Sequence, residues 1–213
     1  MTAYERALRQ RNRLLKDWEG HGVPPELEAW DAELVSAGSA LTIARRDAVQ
    51  RLAGRAQDEF AVLCGDAPEL GTLLVEYRPS VEGEPAEEAF MARLAERRAD
   101  EIVRRTTLVG PHRDDLGLHV QGIVARGFAS HGEAWGAAIS LRLALGATVA
   151  EEVGETPLMF LDDPFSPFDP ERRRRVSDSL DGRGQVFVAV PDDAQIPRGS
   201  TVWRVKEGAV VRE

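Results

Sequence analysis

Apolar residues recur along the first hundred positions at the spacing of helix faces. Between Tyr4 and Trp18 they fall at Tyr4, Leu8, Leu15 and Trp18, with Ala7 and Leu14 beside them, which predicts one buried stripe. Gly20 to Pro25 breaks the pattern, and Pro24-Pro25 is well placed to open a second helix. A longer pattern runs from Glu26 to about Leu63 through Leu27, Trp30, Leu34, Leu41, Ala44, Ala48, Leu52 and Phe60. No proline interrupts it, and Gly38 and Gly54 weaken it only locally. At ~1.5 Å per residue such a helix exceeds ~50 Å, more than one compact core requires, so a helical arm is expected. Thr72 to Arg78 reads as a short strand and PSVEGEP as a polar loop. Ala86 to Val103 returns to helical spacing through Phe90, Leu94 and Ile102.

The character changes at Thr106. TTLVGPHRDDLGLHVQGIVARGF has short apolar runs, alternation and glycine punctuation, which predicts turns and a β-hairpin around Gln121-Gly122. Ser130-His131-Gly132-Glu133 then opens a long small-residue helix that ends near Val153. Leu158 to Leu161 is an uninterrupted apolar run closed by Asp162 and Asp163, the pattern of a strand buried on both faces of a parallel sheet. Gln185 to Val190 is a second such strand, and Gly208 centres a terminal hairpin. Strand, helix, strand in this half indicates an α/β layer architecture.

With 213 residues, 43% apolar and 30% charged, the chain suits a protein with a real core. No apolar run approaches the ~20 residues of a membrane helix, and the start, MTAYERALRQRN, has no signal-peptide pattern. The one cysteine, Cys64, rules out an internal disulfide framework and suits a reducing cytoplasm. A net charge of −9 does not attract nucleic acid as a whole, so any DNA contact must come from a local basic face. Arg9, Arg11 and Arg13 in the first helix are the candidates, against a plainly solvated face. Arg172 to Arg175 form a second basic run.

Three segments carry candidate chemistry. Carboxylates at the carboxyl end of a buried parallel strand lie where α/β sheets hold ligands. One of Asp162 and Asp163 can hold Mg²⁺ while its neighbour orients or deprotonates an attacking water. Ser166 and Asp169 follow in the next turn. Ser130 to Glu133 sits where helix N–H groups and the positive dipole end attract anions, and Gly132 lets backbone approach a phosphate. The same four residues also fit a capping box. Gly110 to Asp115 (GPHRDD) offers His112, Asp114 and Asp115 to a metal, but a structural turn with internal hydrogen bonds is the favoured reading.

Taken in order, YERALRQRNRLLKD, TTLVGPHRDDL, FASHGEAWGAAISLRLA, PLMFLDDPFSPFDPERRRRV and GQVFVAV resemble the RecF family of bacterial DNA replication and repair ATPases. The resemblance spans nearly the whole chain. It implies a partial ABC-type ATPase head, with residues 1–104 in a mainly helical second lobe and 105–213 in the P-loop NTPase-like lobe. It makes Ser130, His131, Gly132 and Glu133 the ABC signature motif, which contacts ATP held by the opposite subunit. Asp162 would serve Mg²⁺, Asp163 would be the catalytic carboxylate, and Ser166 and Asp169 would belong to a D-loop crossing the dimer interface. The implied role is ATP-dependent DNA binding in recombinational gap repair and the SOS response. The implied partners are gapped or junction DNA, recombination mediator proteins, and a second copy or a chain carrying Walker A.

The departures matter too. Pro164 and Pro167 bracket the turn after Asp163, so a stiffer D-loop is expected. No G-x-x-x-x-G-K-[ST] occurs in the 213 residues, whereas the family carries that phosphate loop in an amino-terminal segment. The chain therefore looks like the carboxy-terminal portion of a RecF-like protein, at best half of an active site. The alternative is a catalytically silent DNA- or protein-binding module derived from such a head.

Overall fold

The computed structural model describes residues 2–65 and 71–213. The chain packs as two compact units, Met1–Gln50 with Glu76–Gly117, and Arg51–Val75 with Leu118–Glu213. These units interleave along the chain, whereas the expected lobes are consecutive.

The first unit contains helix α1 (Ala3–Asp17), the opening half of α2 (Leu27–Cys64) and α3 (Ala86–Arg104). Thr2 caps α1 through a complete capping box with Glu5, so the helix starts where its first N–H groups gain a partner. Tyr4, Ala7, Leu34, Val35, Phe90, Leu94 and Val109 form the apolar core. Ala44 and Ala48 of the predicted stripe are exposed, so α2 loses its buried face in mid-helix, close to where the chain passes from one unit to the other.

Arg11 lies on the buried stripe of α1 with Tyr4, Ala7 and Leu15, and is 0% exposed. It donates to Asp31 at 2.7 Å, Glu101 at 2.7 Å and Thr107 at 2.8 Å. The expectation that Arg11 contacts DNA is therefore wrong: its guanidinium is enclosed and committed to two carboxylates. Arg9 and Arg13 are exposed, and Arg13 pairs loosely with Asp17.

The GPHRDD segment folds as a structural turn. His112 accepts from the Tyr4 hydroxyl at Nδ1 and meets the Thr107 carbonyl through Nε2. Asp114 accepts from Ser80 N–H at 2.7 Å, from Arg45 at 3.2 Å and from the Tyr77 hydroxyl. Among the described residues no group of three or more His, Cys, Asp and Glu could hold a metal.

Strand β1 (Leu73–Arg78) heads a three-stranded sheet, β1-β2-β3, with β2 at Asp115–Val120 and β3 at Ile123–Val124. The β2–β3 hairpin turns through Gln121-Gly122, both at positive φ, as the glycine predicts. The rest of the second unit runs through a short turn α4 (Ala125–Phe128), α5 (His131–Val153), β4 (Met159–Asp162), α6 (Pro170–Ser179) and β5 (Val186–Ala189). It ends in the hairpin β6–β7 (Trp203–Lys206, Ala209–Arg212). β4 and β5 are parallel, Met159 opposite Val186 and Asp162 opposite Ala189. Met159, Leu161, Val186 and Val188 pack onto a core of Ile139, Leu143, Phe165, Phe168, Val176 and Leu180.

The other face of this pair is open. Phe160 is 71% exposed and stacks on Phe187 with ring centroids 4.9 Å apart. Burial on both faces was expected of β4 and is found on one only, because nothing among the described residues covers the Phe160 side.

Candidate functional site

The carboxyl end of β4 carries the two acids. Asp162 is exposed. Asp163 turns into the left-handed region at φ 44°, where side chains are rarely stable without local support. Its N–H donates to the Ala189 carbonyl at 2.9 Å, extending the ladder by one bond. Its Oδ1 is buried and has no hydrogen-bond partner in the protein. A desolvated carboxylate oxygen left open is costly in a merely structural role.

The chain then buries Pro164, Phe165 and Phe168 and leaves Ser166 exposed. Phe168 N–H closes a tight turn onto the Phe165 carbonyl at 3.0 Å. Asp169 caps α6, its Oδ1 accepting from Glu171 N–H at 3.0 Å and Arg172 N–H at 2.9 Å. The bond from Arg172 N–H, with the further one from Glu171, holds the Asp169 carboxyl below the usual carboxylate range.

Ser130 caps α5. Its hydroxyl accepts from Glu133 N–H at 3.3 Å, and Glu133 Oε2 accepts from Ser130 N–H at 2.8 Å, so the capping box is complete. Gln121 donates to the remaining Glu133 oxygen at 3.1 Å. The hydrogen bonds from Ser130, chiefly, keep Glu133 below its ordinary pKa. Ser130, His131 and Ala134 are exposed, and Gly132 and Glu133 are half-buried.

These two segments lie 30 residues apart in sequence yet meet in the fold. A Cβ at Gly132 would stand 3.5 Å from the Pro167 carbonyl and 3.7 Å from Arg172 Nη1. Trp135, one turn into α5, donates its indole N–H to the Pro164 carbonyl at 2.9 Å. Sequence reasoning missed Trp135, and it read Arg172 only as part of a basic run. Trp135 falls two residues after the Ser130–Glu133 motif, but its partner is a backbone carbonyl that no residue pattern reveals. Arg9 and Arg13 belong to the other unit.

Chemically, the arrangement offers an anion-attracting helix start packed against the turn that follows a strained, partly desolvated carboxylate, with a second carboxylate in solvent. It offers no lysine and no glycine-rich loop to cradle phosphates.

Comparison with known proteins bears on the family. No protein-family model matches the chain. Three curated relatives carry the name DNA replication and repair protein RecF. That of Streptomyces avermitilis is 40% identical over 226 residues, covering 98% of this chain and 59% of the relative. Those of Frankia alni and Acidothermus cellulolyticus are 38% and 36% identical, with 60% and 55% of each relative covered. The chain thus spans less than two thirds of the length of these relatives. Among solved structures, the recombination mediator protein RecF with ATP, of the RecFOR pathway, superposes with TM-score 0.81 at 24% identity, over 99% of this chain and 57% of that one. A second RecF structure gives 0.80. That likeness shows a shared α/β fold. The chain belongs to the RecF family and corresponds to the carboxy-terminal part of such a protein.

Proposed function

We propose that this chain supplies the signature, Mg²⁺-carboxylate and D-loop parts of an ABC-type ATPase that acts on DNA in recombinational gap repair. Residues 1–104 then serve as the helical second lobe and 105–213 as part of the ATPase lobe. The observation that carries the reading is the meeting of the Ser130–Glu133 helix start with the Asp163–Asp169 turn, through Gly132 against Pro167 and Trp135 against Pro164.

In this reading Asp162, in solvent at the strand end, holds Mg²⁺ together with phosphate oxygens and water, a donor set suited to that ion. The ion would neutralise charge on the phosphates. Asp163 orients the attacking water and accepts its proton. Its open Oδ1 fits that task, since a carboxylate acting on water needs an oxygen not already taken by the protein. Ser130 and the N–H groups around Gly132 face the γ-phosphate of ATP bound by the opposite protomer, with Ser166 and Asp169 along the seam between them. ATP-dependent pairing, with a second copy or with a chain carrying the phosphate loop, would close on gapped or junction DNA beside other recombination mediators. The setting is the cytoplasm and the SOS response. Among the described residues no helix is long and apolar enough to cross a membrane.

A second reading is a silent module that binds DNA or a partner without turning over nucleotide. The missing G-x-x-x-x-G-K-[ST] favours it, because phosphoryl transfer needs a cradle of N–H groups and a lysine on the β- and γ-phosphates.

Phosphate release distinguishes the two. The chain alone should release none. Addition of a polypeptide bearing the phosphate loop should bring DNA- and Mg²⁺-dependent turnover that Asp163→Asn abolishes. Turnover by the chain alone that vanishes in Asp163→Asn would show a complete site already present. DNA binding indifferent to ATP, with no turnover in any mixture, would establish the silent module.

A further inference from the structure

The partly covered arginines on and just after α6 are held by the protein, with one exception. Arg173 donates to the Phe168 carbonyl at 3.5 Å, and Arg175 to the Cys64 carbonyl at 3.0 Å and to Glu171 at 2.6 Å. Arg183 donates to Glu59 at 2.7 Å. Arg172 is the exception. Its side chain is 32% exposed, and its nearest carboxylate oxygen, Asp169 Oδ2, lies 3.8 Å from Nε, beyond hydrogen-bond reach. Arginine presents five N–H donors in a fixed fork, and here none meets an acceptor among the described residues.

This unpaired guanidinium stands at the junction that carries the proposed function. Its Nη1 would lie 3.7 Å from a Cβ on Gly132, and it lines a small hollow with Gly132, Glu133, Gln121 and Phe168. Neither neighbouring carboxylate takes it up. Glu133 already accepts from Ser130 N–H and Gln121, and Asp169 Oδ1 from the N–H groups of Glu171 and Arg172. Those two carboxylates oppose any anion that approaches the Gly132 turn. The Arg172 charge offsets that repulsion and leaves its donors open to an outside acceptor. A forked, permanently charged donor set is matched by a group with several anionic oxygens, as phosphate has.

We infer that Arg172 binds the terminal phosphate of ATP held by the opposite protomer, and so makes the pairing of two heads depend on ATP rather than ADP. The inference rests on the proposed function, which brings that phosphate to Ser130 and Gly132. It adds a specificity-determining contact from α6, outside the Ser130–Glu133 motif. ADP lacks the phosphate and would leave the guanidinium in water, as it stands in the free chain.

The test reads pairing rather than turnover. Asp163→Asn heads, completed with the phosphate-loop polypeptide and kept free of DNA, are titrated with ATP or ADP while light scattering follows their mass. ATP should pair them and ADP should not. Adding Arg172→Gln should raise the ATP concentration needed for pairing by about tenfold or more, the loss expected of one charge-assisted contact. Arg172→Lys keeps the charge without the fork and should recover part of that loss. Arg198→Gln removes an exposed charge elsewhere and should leave pairing as it is. Melting temperatures of the three variants should match the parent, since the Arg172 side chain makes no hydrogen bond in the free chain. ATP affinity of heads diluted until unpaired should not respond to Arg172→Gln. Asp163→Asn heads that never pair with ATP would remove the proposed function, and this inference with it. Heads that pair with ATP but ignore Arg172→Gln would overturn the inference alone. So would a pairing loss matched by a fall in melting temperature, or weaker ATP binding by the unpaired head, which would put Arg172 on its own nucleotide.

Discussion

Replacing Arg11 with alanine takes an enclosed charged partner from both Asp31, which keeps only Arg98, and Glu101, all of Arg11, Asp31 and Glu101 being fully enclosed. Removing one partner from a buried ion pair costs about 3–5 kcal/mol, so urea unfolding of Arg11→Ala should show a large fall in midpoint. His112 supplies a pH signature. The Thr107 carbonyl can only accept, so Nε2 carries the proton and Nδ1 accepts from Tyr4. Burial is the main reason its pKa lies below the ordinary imidazole value. Below that ordinary value of about 6.5 the unfolded chain takes up a proton that the folded chain resists. Stability is therefore lost as pH falls from neutrality through 6.5 towards the lower folded pKa, and is present above it. Denaturation at pH 7.5 and pH 5 should show this loss, and His112→Gln should lose less over the same interval. An equal pH dependence in the variant would contradict the assignment. Gly132 and Gly110 offer a contrast between function and fold. A Cβ at Gly132 would meet its neighbours only at ordinary van der Waals distance, so Gly132→Ala should keep its melting temperature while impairing turnover in the reconstituted head. Gly110 sits at φ 123°, and its Cβ would lie 2.6 Å from the Tyr4 hydroxyl, so Gly110→Ala should lower stability outright.

At the scale of elements, the helices were legible because their apolar positions repeat along one face and because the cap at Ser130 is written in residue type. Arg11 was misread although its spacing told against exposure. It stands four residues from both Ala7 and Leu15 on the inner stripe, but its carboxylate partners lie 20 and 90 residues away, beyond any local pattern. The apolar run of β4 correctly signalled a parallel pairing but not the open face, because what covers that face is not among its neighbours. The left-handed turn at Asp163 has only a faint signature, since aspartate visits positive φ more than most residues but far less readily than glycine. The link between α5 and that turn is testable. Trp135→Phe keeps an aromatic ring but leaves the Pro164 carbonyl without its donor, a loss of about 1 kcal/mol for a part-buried bond. Thermal unfolding should shift modestly. In the reconstituted head the variant should lower kcat more than it raises KM, because the turn positions Asp163 rather than binding nucleotide. An unchanged kcat would separate Trp135 from the proposed chemistry.

Considered as a whole, the molecule carries a net charge of −9, so the proposed contact with DNA needs a restricted basic surface. With Arg11 enclosed, Arg9 and Arg13 remain the candidates on α1, beside the exposed Arg6 and Lys16. Replacing both with glutamine should weaken binding and reduce the salt slope by about 0.9 for each phosphate that is no longer neutralised. Unchanged affinity and slope would direct attention to Arg172–Arg175. The central proposal is that one head contributes to two different nucleotide sites, Ser130 and Gly132 to the partner's and Asp162 and Asp163 to its own. Its most direct test is phosphate release by mixed heads, each completed with a phosphate-loop polypeptide. Ser130→Arg and Asp163→Asn heads should each be inactive alone, and Asp163→Asn should still bind ATP and pair. In a mixed dimer one site collects both lesions and the other collects neither, so turnover should return. Verified heterodimers that recover no hydrolysis would contradict the assignment of Ser130 to the opposite protomer's nucleotide.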